Sequence, residues 1–242
     1  PYNRQTMIFT TEDGVLNIER APYPPSKDFI MGSDEFGRDI YSFIIYGTGM
    51  TILLGFFIAL GRFLIAVPIA LSAGFGNSSS KTLIKQFGIL FSAIPALLIS
   101  IIILKLDFLS GLEKTASIFA FVVVLSITGW PKLGSLIMER VDSINQQPFI
   151  RSEIAIGKSR LKIAIENVFP HLAPELIVLF FMEIARALSM VMQMGIFSVF
   201  VGLLKIIRDT EGGISFFDVS FEPEWAGMLS TSRTMASVAP WT

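Results

Sequence analysis

Four long apolar runs decide what this chain can fold into. They cover about residues 50–74, 82–104, 115–138 and 174–204. Each reaches the roughly 20 residues that a helix needs to cross a bilayer. Lipid offers the backbone no water, so every N–H and C=O in such a run must pair within it, which a helix achieves. The composition agrees. Of the 242 residues 52% are hydrophobic and 16% charged, and the mean hydropathy of +0.64 is too high for an ordinary soluble domain. The expected fold class is an all-α polytopic membrane protein with a transmembrane region at 48–204. In the first run Gly55 and Ala59, then Ala66, Ala70 and Gly74, put small residues four apart, so neighbouring helices can approach closely. Pro95 and Pro131 are candidate bends in the second and third runs.

Between the third and fourth runs lies a basic, amphipathic interruption at 139–173. Pro148 stands where a first helical turn would begin and Gly157 just past where that helix would end. Ser159 then caps a second short helix, which Pro170 is expected to stop. Ile150, Ile154, Leu161, Ala164, Ile165 and Val168 offer an apolar stripe, while Arg151, Lys158, Arg160 and Lys162 stay polar. Two short helices joined by a glycine elbow make a compact knob, a shape suited to docking. The loops at 75–85 and 132–175 carry eight Lys/Arg against five acids, so the positive-inside rule favours a cytoplasmic knob. His171, the only histidine, reads as a polar helix-end residue at that surface.

The flanks are more polar. Residues 1–47 open on PYNRQTMIFTTEDG, which does not read as a cleavable signal peptide, and offer short strands at Met7–Thr10 and Val15–Ile18. In the string Gly32 to Asp39, Asp34 and Asp39 can cap turns while Gly32 and Gly37 can take positive φ. On chemistry alone this is a capped elbow. It leads into a short interfacial helix at Ile40–Gly47, with Tyr41 and Tyr46 at headgroup level, and then into the first crossing from Met50. Short links are expected at Gly76–Ser80 and Asp107–Lys114, and residues 205–242 are polar again.

Catalysis finds no support. There is no phosphate-binding loop, no H-E-x-x-H, no cysteine and no second histidine, so no ATP site, metal or cofactor is expected in this chain. The net charge of −1 argues against a nucleic-acid partner. Met182, Met190 and Met194 read as soft packing against a partner helix rather than a metal relay. Arg62, Glu183 and Arg186 lie inside apolar runs, where an unpaired charge costs on the order of 3 kcal/mol. Glu183 and Arg186, three apart, can pair. They line a translocation pathway or form a structural pair between subunits, with Arg62 snorkelling in the second case.

Several of these stretches resemble signatures of a known family. Gly32-Ser33-Asp34-Glu35-Phe36-Gly37-Arg38-Asp39, continuing through Ile45-Tyr46-Gly47 into Thr51-Ile52-Leu53, resembles the G-T-D-x-x-G-R-D signature of dipeptide, oligopeptide and nickel permeases. Gly49 stands where that family usually has arginine. Gly157 followed after twelve residues by Pro170, with Ala155 two before the glycine, resembles the EAA loop of ABC-importer permeases. Aligned on the glycine, the family's glutamate falls at Arg151 and its alanines at Ser152 and Glu153. Pro223, Trp225, Met228-Leu229 and the closing Pro240-Trp241 resemble a third pattern, on the family's outer face.

The resemblance implies a type I ABC importer permease fold in a prokaryotic cell membrane, with these runs as spans two to five of a six-span parent. It implies that Arg151, Ser152, Glu153, Ala155, Gly157, Lys158 and Pro170 belong to a cytoplasmic loop coupled to an ATPase. The segments 1–47 and 205–242 would be extracytoplasmic. The implied partners are a second homologous permease, two cytoplasmic ATPase subunits, an extracytoplasmic solute-binding protein and the lipid bilayer. The implied cargo is peptides, or nickel or other small solutes. The rival reading is an ion-coupled secondary transporter or channel subunit, for which Glu183 is the one candidate coupling acid.

Overall fold

The structure, a computed structural model, describes residues 7–12, 15–106, 113–201, 203–210, 213–220, 223–237 and 239–241. The chain is mostly helical. In order it forms β1 (Met7–Glu12), β2 (Val15–Arg20), α1 (Ile40–Gly74), α2 (Ser78–Ala93), α3 (Ala96–Leu104) and α4 (Lys114–Asn145). There follow α5 (Pro148–Ala155), α6 (Arg160–Ile163), a π-helical turn (Ala164–Val168), α7 (Phe169–Ile196), β3 (Leu203–Thr210), β4 (Gly213–Ser220) and α8 (Trp225–Met235). By length and composition α1 and α4 can cross a membrane, and the α2–α3 pair makes a third crossing if its two bent parts count as one.

Local chemistry explains most boundaries. Asn77 caps α2, its side chain accepting from the Ser79 and Ser80 amides at 3.1 and 3.4 Å. Pro95 ends that helix by forcing Ile94 into extended backbone (φ −123°, ψ 123°), and α3 starts immediately after. The axis turns by 84° there, so the expected kink is a full break. Pro131, by contrast, sits inside α4, which runs on to Asn145 rather than ending near Met138.

Three expectations need correction. The interfacial piece Ile40–Gly47 and the crossing from Met50 are one helix of 35 residues. Gly47 and Gly49 weaken it by about 1 kcal/mol each relative to alanine. Gly47 is nevertheless packed, since a Cβ there would lie 3.1 Å from the Pro223 carbonyl carbon, and the Thr48 hydroxyl donates to Ile44 O at 2.8 Å. The fourth run is not one helix over 174–204. α7 occupies Phe169–Ile196, a turn through Ser198 (φ +55°) closes on Met194 O, and Leu203 begins a strand. The fold is therefore not all-α. β1 pairs antiparallel with β2 (Met7↔Arg20 to Glu12↔Val15), and β3 pairs with β4 (Leu203↔Ser220 to Thr210↔Gly213). Residues 107–112 of the expected Asp107–Lys114 link, and Gly212, lie outside the described residues.

The chain divides into two compact units. The first comprises Pro1–Leu54, Asp107–Ile118 and Leu188–Thr242. Within it Trp225 seats α8, its indole N–H donating to Ile44 O at 3.1 Å and its amide to the Thr51 hydroxyl at 3.2 Å. Gly195 allows the closest approach there, since a Cβ would fall 2.3 Å from Ala226 O. The second unit, Gly55–Leu106 with Phe119–Ala187, has one apolar core. Ala66, Ala70 and Ala73 of α1 meet Leu133, Ile137 and Val141 of α4, with Ile84 of α2 and Leu172 of α7. The small residues do what their spacing promised. A Cβ on Gly74 would lie 2.1 Å from Val141 Cγ1, and Asn145 Nδ2 donates to Gly74 O at 2.9 Å beside it.

Candidate functional site

Three side-chain clusters hold the candidate residues, and each lies within one unit. The first is the knob at Gln147–Pro170 in the second unit. Pro148 opens α5 at N1, where its missing N–H costs nothing. The helix closes with a Schellman pattern: Gly157 N donates to Ile154 O at 3.0 Å and Lys158 N to Glu153 O at 3.2 Å. Gly157 carries the required left-handed φ of +83°, and a Cβ built there meets nothing within 4 Å. Glycine is needed here for its backbone alone. Ser159 then caps α6 by accepting from the Lys162 amide at 3.4 Å.

Pro170 does not stop the second arm. The turn Ala164–Val168 widens to π geometry, with Phe169 N reaching back to Ala164 O, and the helix continues through Pro170 and Pro174 as α7. Splaying the carbonyls just ahead of a proline relieves the clash its ring makes with the preceding turn. The knob's second arm is thus the root of a long helix and not a free-standing piece.

Lys158 locks the elbow. Its ammonium lies 3.2 Å from Glu153 of α5, 3.0 Å from Glu166 and 2.7 Å from Asn167 Oδ1 of the π turn. Asn167 Nδ2 in turn donates to Glu153 at 3.4 Å. Hydrogen bonding to Glu166 holds the Lys158 pKa above its ordinary 10.5, with Glu153 adding and burial opposing. His171 stacks on Phe149 at 4.8 Å, a further tie between the arms. The predicted apolar stripe divides. Ile150, Ala164 and Val168 join the core, as does Ile163, whereas Ile154, Leu161 and Ile165 face outward with Ile156. Ile156 at 78% and Leu161 at 71% are more exposed than a bulky aliphatic side chain usually is. Arg151 and Ser152 are exposed on α5, and the Ser152 hydroxyl donates to Pro148 O at 3.1 Å.

The second cluster corrects the snorkelling alternative for Arg62. Arg62 is 4% exposed and donates through Nη1 to Glu183 Oε2 at 2.9 Å and through Nε to Leu125 O at 3.1 Å. Glu183, also buried, accepts from Arg186 with its other oxygen, as their spacing allows. This ties α1, α4 and α7 within the second unit. Gly129 makes room for the guanidinium: a Cβ there would sit 2.1 Å from Arg62 Nε. Met182 is exposed and Met194 buried. Among the described residues no group of His, Cys, Asp and Glu could hold a metal ion.

The third cluster is the turn Gly32–Asp39 in the first unit. Asp34 Oδ1 accepts from the amides of Phe36 (3.0 Å) and Arg38 (2.9 Å), and its Oδ2 accepts from Arg38 Nε at 2.6 Å. The Arg38 guanidinium lies over the rings of Phe43 (4.6 Å) and Phe36 (5.1 Å). Asp39 caps α1, accepting from the Ser42 amide at 3.1 Å and from its hydroxyl. Ser33 Oγ accepts from Tyr23 N at 2.8 Å. Gly32 (φ +78°) and Gly37 (φ +70°) take the left-handed backbone expected of them. Asp34, Arg38 and Asp39 are buried and bond within the motif and to the start of α1.

The family model for the binding-protein-dependent transport system inner membrane component matches residues 66–215, more than half of the chain and including the whole knob. Among relatives, the dipeptide transport system permease protein DppC of Alkalihalophilus pseudofirmus is 27% identical over 218 residues, covering 90% of this chain and 64% of that protein. The oligopeptide transport system permease protein OppC of Bacillus subtilis is 24% identical over 172 residues, 71% of this chain and 54% of that protein. The glutathione transport system permease protein GsiD of Pectobacterium atrosepticum is 23% identical over 231 residues, 94% of this chain and 68% of that protein. The chain thus spans between about half and two-thirds of the length of these relatives. With apolar helices long enough to cross a bilayer and a family match over most of them, this chain belongs to the inner membrane components of binding-protein-dependent transport systems, as a multi-pass protein of the cell membrane.

Proposed function

We propose that this chain is the membrane-spanning permease subunit of an ATP-driven importer, that a separate binding protein delivers its solute, and that the solutes are peptides. Its dipeptide and oligopeptide permease relatives support the cargo, and the family supports the transport class. In this reading α1, the α2–α3 pair, α4 and α7 make four crossings, with both ends of the chain outside and the knob in the cytoplasm. ATPase subunits engage the outward face of α5 and the elbow, where Arg151, Ile154 and Ile156 project, and a second permease completes the pathway.

The observation that carries the reading is the construction of the elbow. A Schellman-closed turn at Gly157, clamped across by Lys158 and rooted in the core through Ile150, Ile163 and Val168, is a stiff lever with an apolar outer face. Force applied to α5 passes into α7 with little lost in bending. Glu183 is buried and held by both Arg62 and Arg186, an arrangement that suits a structural tie better than the rival role of a coupling acid. Arg62 and Glu183 are better read as a brace between helices, with the more exposed Arg186 on their outer side.

Gly157→Val tests this. The variant should stay in the membrane and assemble, while ATP hydrolysis no longer drives uptake. Normal solute-stimulated hydrolysis with normal uptake would overturn the reading. Uptake that persists without nucleotide and collapses with the proton gradient would favour the ion-coupled alternative.

A further inference from the structure

A cleft of ≈ 530 Å³ in the second unit separates the last turns of α1 from the second arm of the knob. Pro68, Leu71 and Phe75 form one wall and Leu161, Ile165 and Phe169 the other. Its mouth is polar, with Ser72, Asn77 and Arg160. We propose that it binds an anionic phospholipid, with one acyl chain between the apolar walls and the phosphate on Arg160.

Depth argues for a lipid. Pro68 lies six residues inside the end of α1 at Gly74, roughly 9 Å along the axis of a membrane-crossing helix, whereas the mouth at Asn77 lies where the apolar run has ended. The α1 wall therefore stands at acyl-chain level and the mouth at headgroup level, with the knob's second arm facing that wall where it leads into α7. Leu161 and Ile165 are 71% and 60% exposed, which is unfavourable in water and is relieved by a hydrocarbon chain laid against them. Charge selects the headgroup. Arg160 is pinned at the mouth by Nη1 donating to Phe75 O at 2.8 Å, and a guanidinium has five donors, so others remain for a phosphate. The exposed Lys162 on the same short helix pairs with Glu166 at 4.0 Å, so Arg160 is the group that selects the headgroup. A neighbouring transmembrane helix would fill the walls but bring no anion to Arg160. The site requires only that α1 cross a bilayer; its location in the cytoplasmic leaflet rests on the orientation proposed above.

The test is native mass spectrometry of the purified full complex. It is titrated separately with palmitoyl-oleoyl phosphatidylglycerol and with the matching phosphatidylcholine. The wild type should retain phosphatidylglycerol about fivefold better, the value of one basic residue beside an anionic headgroup. Arg160→Gln should lower retention to the phosphatidylcholine level, Arg160→Lys should keep most of the preference, and Ile165→Trp, which fills the cleft, should lower retention of both lipids. No preference in the wild type would overturn the proposal. So would a preference unchanged by Arg160→Gln and Ile165→Trp, or a loss of co-purifying second permease in these variants in place of lipid. These readouts involve neither ATP nor uptake, so failure here leaves the transport reading standing, and failure of Gly157→Val to uncouple leaves the lipid site standing.

Discussion

Two glycine turns carry the resemblance to the family, and they are built to opposite ends. At Gly32–Asp39 three charges face inward: Asp34 and Arg38 pair with each other and with the backbone, and one oxygen of Asp39 caps α1. At Gly157 the polar lock spans the two arms of the knob, and Ile154 and Ile156 are left in the open. The two glycines differ in the same way. A Cβ at Gly32 would lie 2.5 Å from the Trp241 ring and 2.8 Å from Tyr23 O, whereas one at Gly157 touches nothing within 4 Å. One motif is a closed brace and the other a lever with a free face. A motif's specificity in sequence therefore says little about whether its residues touch a partner.

The largest expected effect comes from opening the brace. Asp34→Ala removes a buried ion pair together with the acceptor of the Phe36 and Arg38 amides and should cost about 3–5 kcal/mol, read as a lowered thermal unfolding midpoint in detergent. A drop no larger than that of an exposed substitution would show the turn to be less closed than described. Next come the glycines. Asparagine tolerates left-handed backbone but brings a Cβ. Gly157→Asn should keep stability and coupled uptake, while Gly157→Val loses about 1–2 kcal/mol and its coupling. At Gly32 asparagine should be as damaging as valine, because room is lacking as well as φ. Equal tolerance of asparagine at both sites would break the comparison.

Smaller still in stability is Ile154→Ser, within about 0.5 kcal/mol because the side chain is already exposed. Uptake in the assembled importer should nevertheless fall. The smallest effect is titration of the lock. A raised lysine pKa means the tie is complete below about pH 10.5 and fades as pH climbs through the higher folded-state value. Spin labels on α5 and α7 should therefore show a constant distance distribution from pH 7 to 10 and a broader one above. Broadening already at pH 8 would contradict the assigned partners.

What was legible in advance was local. Pro148, Gly157 and Ser159 declare a helix start, an elbow and a cap through chemistry that acts over three or four residues. The same holds for Asp34, Asp39 and the two glycines beside them. What escaped was either distant or a continuation. Arg62 finds Glu183 across 121 positions, which no spacing rule reaches, so one buried pair looked like a lone snorkelling charge. Glu153 meets Asn167, and shares Lys158 with Glu166, only because the chain folds back at Gly157. Pro170 has the form of a helix stop, and the π turn ahead of it cancels that meaning. Leu203 and Leu204 continue the apolar character of α7, so the start of β3 was absorbed into the expected span at 174–204, while the rest of the strand lay in the segment read as polar.

The central claim is that the outer face of the elbow meets an ATPase. The chain contains no cysteine, so a single cysteine at Ile156 reports without background. In the assembled complex it should cross-link through a short bismaleimide to an ATPase subunit, with a yield that changes when nucleotide is bound. A cysteine at that position that is modified by impermeant reagent from outside the cell, or that never cross-links to the ATPase, would contradict the account.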